Sequence, residues 1–157
     1  MRNVMRSAAM VATSIPLLLA ARPASAQYAG VWEATSPAAI RNENGVETPT
    51  GSVTITITIE QRGDSVFATW QRGAIEGRPD MPARQLKGIV KDGQILLDGG
   101  PQEAKMMRNG EEEVIRLTSS YALKLQSDEL AGTATVTNEA DGSVLSERPF
   151  SAKRKKA

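Results

Sequence analysis

The chain has no cysteine and no histidine, and only six aromatic side chains in 157 residues. Each shortage removes a class of mechanism. Without cysteine there are no disulfides, no thiolate-bound zinc, no iron–sulfur cluster and no thiol nucleophile. Without histidine the commonest general base near neutral pH is gone, and with it the Ser–His–Asp triad. Excess charge of one sign is also lacking, with 19 basic against 18 acidic residues. A dedicated nucleic-acid binder would carry a strong basic excess. No glycine-rich phosphate loop and no readable carboxylate pair occurs, so no enzyme activity and no cofactor is expected.

What is present begins with an address. Arg2 and Arg6 form a positive start, Ala8 to Ala21 is an apolar run, and Ala24-Ser25-Ala26 offers small residues for a signal peptidase. This is the pattern of a secretory signal, with cleavage before Gln27. The run is too short to cross roughly 30 Å of hydrocarbon as a helix, and Pro16 interrupts it. The expected division is therefore a signal helix at 1–26 and one domain at 27–157, exported to the periplasm or beyond. The signal takes Arg2, Arg6 and Arg22 with it and no acid, so the mature chain has 16 bases against 18 acids, a net charge of −2. No integral membrane segment is expected in it.

The mature chain reads as strands. Val53 to Ile59 alternates aliphatic residues with threonines, which is period 2 in strongly strand-favouring residues. Arg62-Gly63-Asp64, Lys91-Asp92-Gly93, Asn109-Gly110, Ser127-Asp128 and Asp141-Gly142 punctuate further alternating segments as turns. Counting Tyr28 to Thr35 as the first, eight strands follow in sequence order. Two longer loops are expected, Ser36 to Thr50 and Ile75 to Pro82. The predicted class is all-β: an eight-stranded antiparallel up-and-down meander closed into a small barrel, with a flattened sandwich as the alternative. Such a barrel has room for its own side chains or one small ligand.

Gly30-Val31-Trp32 at the start of the first strand, ahead of an eight-stranded meander, resembles the calycin superfamily of lipocalins, fatty-acid-binding proteins and avidins. Phe150 to Arg154 extends the likeness. In lipocalins a basic residue of the last strand packs across the tryptophan at the closed end. The resemblance implies a barrel base of Gly30, Trp32 and Arg154, with Arg148 as the second candidate for the cation. The chain is similar to the small exported lipocalin-like barrels of bacteria, many of which have no assigned activity. Only Trp32 and Trp70 are available, so a biotin site of the avidin kind is not expected.

The inward set predicted to line a cavity is Trp70, Leu117, Ser119, Tyr121, Leu123 and Phe150. The function expected from it is binding of a small apolar or amphipathic ligand by a monomer or weak dimer. The alternative is a protein–protein interaction or inhibitor module without a cavity. Glu111-Glu112-Glu113 reads as a solvated hairpin, and no metal site is expected.

Overall fold

A computed structural model of the chain describes residues 27–43, 46–77, 80–108 and 110–156. The segment 1–26, expected to be a signal, lies outside the described residues. The described residues form ten strands: β1 (Gly30–Ser36), β2 (Ala39–Glu43), β3 (Val46–Thr50), β4 (Val53–Arg62), β5 (Ser65–Arg72), β6 (Arg84–Lys91), β7 (Gln94–Arg108), β8 (Glu111–Gln126), β9 (Glu129–Asn138) and β10 (Val144–Arg154). Eight of them close an antiparallel barrel in the order β1-β10-β9-β8-β7-β6-β5-β4. The remaining two, β2 and β3, pair only with each other. The segment Ser36 to Thr50, expected as a loop, thus carries a hairpin.

The period-2 pattern sets the inside of the barrel. Val53, Ile55, Ile57 and Ile59 of β4 are buried, whereas Thr54 and Thr58 are exposed. Val66, Ala68 and Trp70 of β5, Leu86 of β6, Ile95 and Leu97 of β7, Leu123, Leu130 and Ala152 complete the core. Gly99-Gly100-Pro101 does not end β7. The register against β8 shifts between Asp98 and Pro101, a bulge that lets one long strand bend.

The two ends of the barrel differ. Tight turns gather at one end, where Asp92 and Gly93 both take positive φ, the requirement of a two-residue hairpin turn. All the longer connections leave from the other end. These are the β2–β3 hairpin, the β5–β6 loop, the β9–β10 connection, and the β7–β8 ribbon, which runs on past the end of β9.

The tight end is closed by the first described residues. Tyr28 is 1% exposed, and its hydroxyl donates to the Gly93 carbonyl at 2.9 Å. Trp32, with no exposed surface, donates from Nε1 to the Tyr28 carbonyl at 3.0 Å. The Arg154 guanidinium lies 4.1 Å from the centre of the Trp32 ring. It also donates to the carbonyls of Ala29 and Gln27, both at 2.7 Å. Gly30 is required between them. Its φ is +131°, and a Cβ there would sit 2.8 Å from Arg154 Nη1. The Gly-x-Trp spelling therefore has a local cause: the glycine admits the arginine that covers the tryptophan.

Candidate functional site

Inward alternation carries a different set of residues to the loop-bearing end. β5 ends with Trp70 and Arg72, β6 begins with Arg84, β8 presents Tyr121, and β10 presents Arg148 and Phe150. These residues line a cleft of about 910 Å³, within the usual range for small-molecule sites. Ala34 and Ile55 add to its apolar wall, and Met81 and Pro82 of the β5–β6 loop border it.

Its floor is a ring cluster. Trp70 and Tyr121 have centroids 4.8 Å apart, Trp70 and Phe150 5.2 Å, and Tyr121 and Phe150 5.7 Å in an edge-on arrangement. These are favourable geometries for aromatic pairs. Gly132 stands opposite Phe150 on one side and Leu123 on the other. A Cβ there would strike the Ala122 carbonyl, so the strands meet closely because the side chain is missing.

The polar groups above the floor are mostly cationic. Arg72 donates from Nη2 to the Ala38 carbonyl at 2.7 Å and the Pro37 carbonyl at 3.3 Å. Its Nε is buried and has no hydrogen-bond partner. Arg84 donates to the Gly99 carbonyl at 3.2 Å, and its charge acts on the Tyr121 hydroxyl. Burial pushes the Tyr121 phenol above its ordinary value, with the Arg84 charge and the polar side chains of Arg84 and Ser119 pulling it partly back. Among the described residues, four cations line the cleft (Arg72, Arg84, Arg148, Lys153) against one acid, Glu33. That acid is already held by Lys155 at 2.8 Å. Residues 27–157 together carry a net charge of −2, so the described lining reverses the sign locally.

Of the six residues expected to line a cavity, Trp70, Tyr121 and Phe150 are brought together. Leu123 is buried in the core instead. Ser119 is buried beside the cleft and accepts from Gln102 Nε2 at 2.7 Å. Leu117 lies where β8 parts from β9, opposite Asn138. Of the barrel-base set, Gly30, Trp32 and Arg154 meet at the tight end, while Arg148 is in the cleft. The arginines were missed as site residues, although their parity with Trp70, Leu86 and Phe150 places them inward. The side chains of Met106 and Met107 lie outside those described. Glu112 pairs with Lys105 at 2.7 Å on the exposed ribbon.

Comparison with protein-family models, curated proteins and solved structures returns no match for this chain. Among the described residues, no cluster of acids could hold a metal ion, and no helix is long and apolar enough to cross a membrane.

Proposed function

We propose that the protein is an exported, lipocalin-like barrel that binds a small amphipathic ligand. The observation that carries this reading is one cleft with an aromatic floor of Trp70, Tyr121 and Phe150 beneath the arginines of its rim. Apolar surface is favoured on the rings. A polar or anionic end is favoured on the guanidiniums, whose fixed forks suit carboxylate, sulfate or phosphate oxygens. The buried, unpartnered Nε of Arg72 supports the same reading, because a buried donor gains by meeting an acceptor. Export rests on the leader sequence alone.

The direct test is binding of anilinonaphthalene sulfonate to the purified mature protein, followed by displacement with single-chain amphiphiles and native mass spectrometry. Saturable binding that is weakened by Trp70→Ala is expected. Absence of any saturable binding, with the barrel folded, would sink the proposal.

A further inference from the structure

The barrel is closed unevenly. β1 pairs with β4 over seven positions but with β10 over only two, Trp32 with Arg154 and Glu33 with Lys153. The Lys155 amide donates to the Val31 carbonyl at 2.8 Å, and the Arg154 amide donates the other way, to Asp128. Odd-numbered residues of β1 and β10 therefore turn their backbone groups toward each other. Continuing the register puts Thr35 opposite Ser151, and then Pro37 opposite Pro149. At that second position neither strand has an N–H to give. On that continued register the two prolines oppose each other, beyond the last paired position of Glu33 with Lys153. The Pro37 carbonyl, moreover, is engaged by Arg72.

The cleft passes through the resulting seam. Its lining includes Ala34 and Phe150, which face the interior, the lip residues Pro37 and Pro149, and residues of outward parity: Glu33 and Thr35 of β1, Ser151 and Lys153 of β10. Interior and outer surface are thus one continuous space at this wall. Proline on both lips discourages an added β-strand, since it removes the donors such a strand would use. The occupant that fits is a slender molecule needing no backbone ladder. The cations along its path, from Lys153 outside to Arg148, Arg72 and Arg84 inside, give it a negative end.

We propose that the β1–β10 seam, propped open by Pro37 and Pro149, is a lateral entrance to the cleft and admits single-chain anionic amphiphiles. The inference rests on the ligand-binding reading above and adds the route and the sign of charge. Its apolar end reaches the ring cluster, and its anionic end stays among the arginines and Lys153.

The test uses the mature protein with Thr35→Cys/Ser151→Cys, in a chain that otherwise has no thiol. The probe is 11-(dansylamino)undecanoate, with a trimethylammonium counterpart of equal chain length. Oxidation staples the seam and reduction reopens it in the same molecule. Stopped-flow association of the anionic probe should slow about ten-fold or more when stapled and recover on reduction. Pro37→Thr/Pro149→Thr restores both donors, lets the ladder extend, and should slow entry in the same direction. It decides the matter if thiol titration shows that the staple does not form. An unchanged association rate in the closed seam overturns the entrance. Equal affinity for the cationic probe overturns the anionic assignment. If the unaltered protein binds neither probe nor anilinonaphthalene sulfonate, the ligand-binding reading itself falls; if it binds them and closure changes nothing, only the seam falls.

Discussion

Trp32→Ala removes the largest fully buried side chain of the tight end. A tryptophan buries roughly 150–250 Å², which at about 25 cal/mol per Å² is about 4–6 kcal/mol as an upper bound. Measured large-to-small changes of this kind cost about 3–5 kcal/mol. The Tyr28 carbonyl also loses its buried donor, at about 1 kcal/mol. The Arg154 guanidinium loses the ring beneath it, at about 0.5–2 kcal/mol. A destabilisation of about 4 kcal/mol is therefore expected, a large part of the whole stability of a domain this size. Urea unfolding at neutral pH, followed by the fluorescence of Trp70, reads it as a midpoint lowered by about 2 M, given slopes near 1–3 kcal/mol per M. Arg154→Ala and the double variant complete a cycle. Their coupling should exceed about 0.5 kcal/mol because the two groups touch. A loss below about 1 kcal/mol for Trp32→Ala, or additive losses for the pair, would refute the account of the base.

Three other outcomes follow from the cleft. Gly132→Ala forces a Cβ into the Ala122 carbonyl and should cost about 1–3 kcal/mol as overpacking, read in the same urea assay. Tyr121 favours its neutral form in the folded state, so its contribution is complete below the ordinary phenol value of about 10 and is lost as pH rises from there through the raised folded value. Tyr121→Phe should remove that part of the alkaline decline, seen as converging stability curves of the two proteins above pH 10; parallel curves would contradict it. Arg84→Met should weaken anilinonaphthalene sulfonate about ten-fold by removing one charged donor, while a far-ultraviolet spectrum checks that the barrel persists. Unaltered affinity there would take Arg84 out of the site.

The barrel was legible because its strands speak in period 2. Val53 to Ile59 states both its class and its inward face, and the Asp92-Gly93 turn states where the next strand begins. The β2–β3 hairpin was not, although Asn44-Gly45 is a hairpin dipeptide in plain sight. Its flanks, Ala39 to Glu43 and Val46 to Thr50, spell no apolar alternation that would reveal strands. The arginines escaped for a related reason: reading alternation only in apolar residues ends β5 at Trp70 and overlooks Arg72, two positions on with the same parity. The seam could not be read locally at all. Pro37 and Pro149 are visible singly, but that they oppose each other depends on the register between two strands over a hundred residues apart in sequence, set by Trp32 against Arg154.

That long reach bears on when the molecule can finish folding. The hairpins of β4 through β10 can form as neighbours, but the base cannot. Ala29 and the arginine that grips it are 125 residues apart, a separation that makes closure slow and late. Until β10 has emerged, Trp32 has no cover and the first strand has only one neighbour. For a precursor proposed to cross a membrane as an unfolded thread, postponing completion to the final strand is useful. Under that proposal the chain would stay soft enough to be translocated and would set only after its arrival.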